Sequence, residues 1–286
     1  MSPILWGLAA LLLALFIYGA WIEPAMRLRV VRYDLPLEGW VDEPLTLVLV
    51  ADLHAGAPQV PLSRVRRIVA RANSLGADVA ILLGDYAAAH KFTLGKMDVH
   101  DIICALKGLD APLGTYAVLG NHDWWQDPRA AAEGGVCETS RALLAHGIPE
   151  LDNDAVKLPS GAWLVGLADQ RAQSPDPRVD GFDDLDAAME EVTDDAPAIL
   201  IAHEPDIFPR VPDQVRLTVS GHTHGGQVRF LGRSPVIRMV WCEVFSYGHY
   251  VSDDQHLIVS GGIGCSEYPV RVGMPPELTL VTVHRA

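Results

Sequence analysis

The chain has 286 residues, with 22 Lys and Arg against 36 Asp and Glu, a formal charge of −14. That balance excludes a general polyanion-binding surface, which is built from Lys and Arg clusters; 49% apolar against 20% charged residues excludes intrinsic disorder. Four scattered cysteines, Cys104, Cys137, Cys242 and Cys265, form no C-x-x-C pair, which excludes a disulfide scaffold and a thiolate zinc ribbon.

No charged side chain precedes Glu23, and Ile4 to Ile22 is close to the ~20 apolar residues that cross a bilayer as a helix. Trp6 near one end, with Tyr18 and Trp21 near the other, resembles an aromatic belt. A cleaved signal peptide fits less well. There is no basic n-region, the apolar run is too long, and no A-x-A site follows. The only Arg-Arg pair, Arg66-Arg67, is internal, so no twin-arginine signal stands at the start. Residues 1–23 therefore read as a single-pass transmembrane anchor. Arg27, Arg29 and Arg32 lie on its C-terminal side, and the positive-inside rule places the following domain in the cytoplasm, on the inner (plasma) membrane.

Residues 24–44 read as a linker and first strand, punctuated by Pro24, Pro36 and Pro44. Residues 45–286 form the main domain. In it, short apolar runs that read as buried strands each end in a polar cluster. Leu45–Ala51 precedes Asp52 and His54. Val79–Leu83 precedes Gly84-Asp85. Thr115–Leu119 precedes Gly120-Asn121-His122-Asp123. Ala198–Ala202 precedes His203, and Leu217–Ser220 precedes Gly221-His222-Thr223-His224. Helical spacing falls at 62–75, 98–109 and 138–146; in the first, Val65, Ile68, Val69 and Ala72 share a face. Leu257–Ser260 and Leu278–Val283 are strands without intervening helices. The fold class is α/β, a two-sheet sandwich core flanked by helices.

Parallel strands in an α/β core present ligand-binding groups at their carboxyl ends. Those ends offer Asp52, His54, Asp85, Asn121, His203, His222 and His224. Carboxylate, imidazole and amide donors without thiolate suit divalent Mn, Fe, Zn or Ni. Asp52 and His54 are two apart, as are His222 and His224, so each pair is expected to point to one side of its strand end.

The ordered series Asp52-x-His54, Gly84-Asp85, Gly120-Asn121-His122-Asp123, His203 and Gly221-His222-x-His224 resembles the calcineurin-like metallophosphoesterase family. Glu23-Pro24, His203-Glu204-Pro205-Asp206, Gly225-Gly226-Gln227, Gly262-Ile263-Gly264 and Pro269-Val270-Arg271 resemble its membrane-anchored branch. The resemblance implies two divalent metal ions. Asp52, His54 and His224 would hold one, Asn121, His203 and His222 the other, and Asp85 would bridge them. His122 would face the substrate phosphate, and Asp123 would orient its ring. Two ions ~3.5–4 Å apart activate water and clamp phosphoryl oxygens. The implied activity is hydrolysis of a phosphoester or pyrophosphate in a small-molecule or lipid substrate such as UDP-diacylglucosamine, in lipid A synthesis. The rival readings are a membrane-tethered cell-envelope binding protein with a vestigial metal site, and a metal-dependent nuclease. A complete ligand set counts against the first. The acidic charge counts against the second, and no nucleic-acid partner is expected.

Other features carry less. Trp124-Trp125 reads as loop packing or as an apolar wall of the site. His90 and Arg271 are candidates to reach substrate, and Asp169 is a candidate to line the site. Gly261–Gly264 reads as a turn beneath it. Residues 176–195 hold nine acids and one Arg, the pattern of a solvated face. The cysteines read as reduced.

Overall fold

The computed structural model describes residues 2–41, 43–88, 90, 92–176, 179–235 and 244–286. Cys242 and Arg178 of the sequence reading lie outside these residues; the described Cys104, Cys137 and Cys265 are free thiols.

Helix α1 (Pro3–Ile17) begins on Ser2, whose side chain accepts from the Leu5 N–H, with Pro3 in the first turn, where its missing N–H costs nothing. The helix continues in wider π-type turns over Tyr18–Met26. No residue of α1 is buried, and the most apolar 18-residue window of the run Pro3–Met26 has a mean hydropathy of 2.1. Among the described residues it is the one helix long and apolar enough to cross a bilayer, and its exposure distinguishes it from a core helix.

The end of the run is different. Gly19, Glu23 and Pro24 are buried against the body of the protein. Met274 N–H donates to Glu23 Oε1 at 2.7 Å, and Arg271 N–H donates to the Gly19 carbonyl at 2.9 Å. Arg64 donates to the carbonyls of Pro24 and Arg27. Residues 24–44 thus comprise the end of the helical run, strand β1 (Arg29–Leu37) and a turn, rather than a loose tether.

The chain continues as β2 (Leu45–Val50), α2 (Leu62–Asn73), β3 (Val79–Leu83), α3 (Val99–Leu106), β4 (Thr115–Val118), α4 (Asn121–Trp125), α5 (Pro128–Glu133) and α6 (Glu138–His146). Then follow β5 (Asp154–Lys157), β6 (Trp163–Gly166), α7 (Leu185–Glu190), β7 (Ala198–Ile201), β8 (Val215–Ser220), β9 (Gly248–Ser252), β10 (Gln255–Val259) and β11 (Glu277–Arg285). One sheet has the order β1-β11-β2-β3-β4, the other β5-β6-β7-β8-β10-β9. The runs β2-β3-β4 and β6-β7-β8-β10 are parallel.

Strands apolar at every position are covered on both faces. Leu47, Leu49, Ile81 and Leu83 meet Leu164, Ile199, Ile201 and Val219 between the sheets. Their neighbours Val48, Val50, Ala80 and Leu82 face the other way, onto Val65 and Ile68 of α2, Ile102 and Leu106 of α3 and Leu143 of α6. On the far side, Val165, Leu200 and Val259 are closed by Ala188 of α7 and by Ile207 and Phe208. The two parallel runs leave their polar clusters together at one edge of this sandwich.

Candidate metal centre

Among the described residues, five of the nine non-glycine residues with positive φ are candidate ligands: Asp52 at 50°, His54 at 39°, Asp85 at 57°, His222 at 65° and His224 at 52°. A left-handed residue with a Cβ costs on the order of 1 kcal/mol or more. The side chains therefore converge through left-handed turns off the strands, and not by the simple alternation expected from spacing. Glycines make room for them. A Cβ on Gly120 would stand 2.5 Å from Asp85 Oδ1 and 2.6 Å from His203 Cε1; one on Gly221 would stand 2.6 Å from Asp52 Oδ2. The turn Gly261–Gly264 packs beneath the site, with Gly262 against Asp52 and Gly264 against His54.

Asp52, His54, Asp85 and His224 form one cluster of buried donors, and His203, Glu204 and His222 a second. His54 Nε2 lies 3.1 Å from His224 Nε2, and His224 Nε2 lies 3.5 Å from Asp52 Oδ1. Asp85 Oδ2 is 3.2 Å from His54 Nε2 and 3.5 Å from His203 Nε2, so one carboxylate oxygen joins the two groups. His222 Nδ1 is 3.0 Å from Asn121 Oδ1. The His222 N–H donates to both oxygens of Asp52, at 2.9 and 3.1 Å. His203 Nδ1 donates to the Leu83 carbonyl at 2.6 Å, which aims Nε2 inward, as a backbone partner does for metal-binding histidines. Buried polar atoms almost always find partners, yet His54 Nδ1 and Glu204 Oε1 make no hydrogen bond, and His203 Nε2 has only the 3.5 Å approach of Asp85 Oδ2. Converging imidazole, carboxylate and amide donors, several of them short of partners, fit a divalent cation.

The charges explain the titration of the cluster. Burial pushes Asp52 up to about 6, with the neighbouring Asp85 adding to it. Burial would raise Asp85 too, but His203 and His122 hold it well below the usual carboxylate range. His203 shows the reciprocal effect: burial opposes its charge, and Asp85 raises it well above an ordinary histidine. Burial and neighbouring cations keep His222 and His224 well below, as neutral imidazoles with a lone pair to offer.

His122 stands at the rim. Its ring meets those of His54 and Trp125 edge-on, each at 5.1 Å, and its Nε2 lies 3.4 Å from Ser266 Oγ. Burial, aided by the surrounding histidines, lowers it to about 4. Asp123 does not contact this ring, contrary to the orienting role expected of it. The Asp123 carboxylate accepts from the N–H groups of Asp85 at 2.8 Å, Gly120 at 2.9 Å and Tyr86 at 3.1 Å. It is a clamp on the backbone that carries Asp85. It is aimed there because it sits at the third position of α4, where a carboxylate reaches back to the capping Gly120.

Arg271 is fully buried and does not face the site as a phosphate ligand. Its guanidinium donates to the carbonyls of Gly264, Gly261 and Met274, and stands 3.2 Å from His224 Nδ1. Trp124 is core, packed on Phe182 at 4.8 Å, whereas Trp125 is half-buried beside His122. A cleft of about 430 Å³ opens next to it, lined by Trp125, Pro128, Ala131, Ala132 and Gln173. His90 is half-buried and close enough for His54 to lower it further after burial. Glu204 figures in the sequence only within the His203-Glu204-Pro205-Asp206 motif and not as a site residue. It is fully buried, with Oε1 3.8 Å from His222 Nδ1, and its signals in the sequence are that motif and adjacency to His203. Asp169 lies behind it; burial and Glu204 push its carboxyl well up.

Two mixed sheets, with buried Asp and His gathered at the ends of their parallel strands, define an α/β protein with a candidate metal centre. Residues 45–226 match the calcineurin-like phosphoesterases, and the chain belongs to that family. A zebrafish (Danio rerio) "transmembrane protein with metallophosphoesterase domain" is 29% identical over 283 residues, 95% of this chain and 61% of its own length. The chain thus spans about three fifths of that relative. The "uncharacterized metallophosphoesterase YkuE" of Bacillus subtilis is 26% identical over 83% of this chain and 78% of its own. An "uncharacterized metallophosphoesterase" of Aquifex aeolicus is 27% identical over 90% and 92%.

Proposed function

We propose that the chain is a single-pass, membrane-anchored phosphohydrolase with a two-metal centre. Its substrate is an amphiphilic phosphoester or pyrophosphate presented at the bilayer, the class to which UDP-diacylglucosamine belongs. The observation that supports this best is Asp85, whose one oxygen lies within 3.5 Å of histidines from both clusters. Asp52, His54 and His224 would hold one ion, and Asn121, His203 and His222 the other, with Asp85 shared. Bound divalent ions supply Lewis acidity toward phosphoryl oxygens and an activated water. His122, neutral and braced by Trp125, offers a ring N–H to a phosphoryl or leaving oxygen at the rim. Asp123 positions Asp85 and takes no proton from substrate. Tethering raises the local concentration of a substrate that shares the membrane. Arg27, Arg29 and Arg32 favour a cytoplasmic catalytic body.

The full chain in detergent should hydrolyse chromogenic phosphomonoesters or phosphodiesters when Mn²⁺ is supplied. Exhaustive chelation should abolish turnover, and restored metal should recover it. Full activity after chelation would overturn the metal mechanism. A panel of membrane-derived phosphates and nucleotide-linked glycolipids then ranks substrates by kcat/KM.

A further inference from the structure

The two segments that hold the end of the anchor share an unusual charge. Residues 24–33 and 53–77 contain seven arginines and no Asp or Glu, in a chain of net charge −14. Arg64, through the Pro24 and Arg27 carbonyls, fixes the first turns of α2 at the anchor's end. Arg66 and Arg67 of those turns are exposed, and Arg27 is exposed with Nη1 donating to the Tyr18 hydroxyl at 2.9 Å.

A second observation is apolar. Leu94 is 82% exposed, Tyr268 58% and Phe92 46%, with the Phe92 and Tyr268 rings 6.2 Å apart. These side chains adjoin the anchor through one short stretch of chain. Ala57 exchanges backbone hydrogen bonds with Leu94 and Gly95. Gln59, two residues on, donates from Nε2 to the carbonyl of Ala20 in the anchor and to that of Pro269 beside Tyr268. Ser266, two residues before Tyr268, lies against His122. The patch therefore runs from the end of the anchor to the rim of the metal centre.

We propose that this face rests on the bilayer that holds the anchor. Phe92, Leu94 and Tyr268 enter the interfacial layer, and Arg27, Arg66 and Arg67 bind anionic phospholipid headgroups. Contiguous exposed apolar side chains mark interaction surfaces. Tyrosine favours the interface, and arginine near an anionic leaflet adds attraction. The bilayer is the occupant because the patch is continuous with the helix that enters it. The rim at His122 and Ser266 then opens toward the headgroup layer, so an amphiphilic phosphate reaches the site without leaving the membrane. This inference rests on the membrane-anchor reading.

The test uses the full chain with Cys104 and Cys242 replaced by Ser, carrying an environment-sensitive dye at Leu94→Cys. Leu12→Cys in the anchor and Leu144→Cys, 80% exposed on α6, serve as references. Vesicles of phosphatidylcholine and phosphatidylglycerol carry lipid spin-labelled near the headgroup, which reads positions 94, 144 and 268, or deep in the acyl chain, which reads position 12. Emission at position 94 should fall to less than about half of that at 144, as for a side chain in the interfacial layer. Tyr268→Cys should give the same reading. Reversing Arg66 and Arg67 to Glu should weaken quenching at 94 with phosphatidylglycerol present and not with phosphatidylcholine alone. Quenching at 12 with none at 94 or 268 overturns the inference, as does shielding of 94 from a water-soluble quencher without lipid quenching, which would mean a protein partner. No quenching at 12 removes the anchor reading itself. Indifference to the charge reversal overturns the headgroup contact.

Discussion

Arg271 couples Gly19 to His224: its N–H donates to the Gly19 carbonyl at 2.9 Å, and its guanidinium stands 3.2 Å from His224 Nδ1. A residue of the anchor and a candidate metal ligand are thus partners of one buried residue, the first through its backbone and the second through its side chain. Deleting residues 2–17 leaves this intact, so the truncated chain should stay folded and keep its turnover on a water-soluble substrate. Deleting residues 2–26 removes the Gly19, Ala20 and Pro24 carbonyls and the Glu23 carboxylate. It leaves the donors of Arg271, Arg64, Gln59 and Met274 short of partners. At about 1–3 kcal/mol for each buried donor left unpaired, the melting temperature should fall by roughly 10 °C or more. Thermal unfolding of the two truncations, compared with the full chain, checks this; equal melting temperatures would refute the docking.

Gly120 is not in a left-handed conformation, so Ala there is free of backbone strain. The constraint is space, since a methyl group would overlap Asp85 Oδ1 and His203 Cε1. Gly120→Ala should keep the fold and bind metal poorly, with turnover down by about two orders of magnitude, the usual result of a ~1 Å misplacement at a reacting centre. Metal content by elemental analysis, alongside circular dichroism, separates this from unfolding. Wild-type metal content in the variant would show that the cradle has slack.

The sequence makes most of this legible, for physical reasons. β3 and β7 are covered on both faces and stand out as unbroken apolar runs, β2 and β8 as largely apolar ones broken by Thr46 and by Arg216 and Thr218, and the first donor after each run follows within two residues of its end. The edge strands are harder. β5 and β9 are short and largely exposed, and β1 carries Arg29, Arg32, Asp34 and Pro36, so it reads equally as linker. The left-handed residues Asp52, His54, Asp85, His222 and His224 are not themselves glycines, and only the neighbouring Gly84, Gly221 and Gly225 hint at the turns. Arg64 and Arg271 are hidden because a charged residue is by default exposed. Their burial is decided by distant carbonyls that only the folded chain brings together. Asp123 misleads for the same reason: its neighbour in sequence is His122, but its partners are the amides of Asp85 and Tyr86.

That difference gives opposite outcomes for adjacent residues. His122 touches no backbone amide through its side chain, so His122→Ala should retain metal while turnover drops about 10²–10³-fold, the scale for losing a donor to developing charge. Asp123→Ala frees the loop that carries Asp85 and leaves three buried N–H groups unpaired. It should lower metal content and melting temperature together. Titration calorimetry with Mn²⁺ on both variants decides; normal Mn²⁺ affinity in Asp123→Ala would restore the idea that Asp123 acts only on the ring.

Glu150 sets a pH dependence of stability away from the metal donors. Burial pushes its carboxyl from 4.5 up to about 7, with Asp152 adding to the shift, while the Ser140 hydroxyl, donating at 3.1 Å, partly offsets it. The folded chain then holds this proton more tightly than the unfolded chain. The contribution is fully present below pH 4.5 and is lost as pH rises toward 7. A shift of this size corresponds to about 3 kcal/mol of stability. Glu150→Gln keeps an acceptor for Ser140 and carries no charge at any pH. It should melt with the parent chain in acid, and higher than the parent by roughly 6–12 °C above neutrality. Melting curves of both proteins from acid to mildly alkaline pH test the sign. An advantage that is constant with pH would place the cause in packing, and one confined to acid would contradict the raised carboxyl.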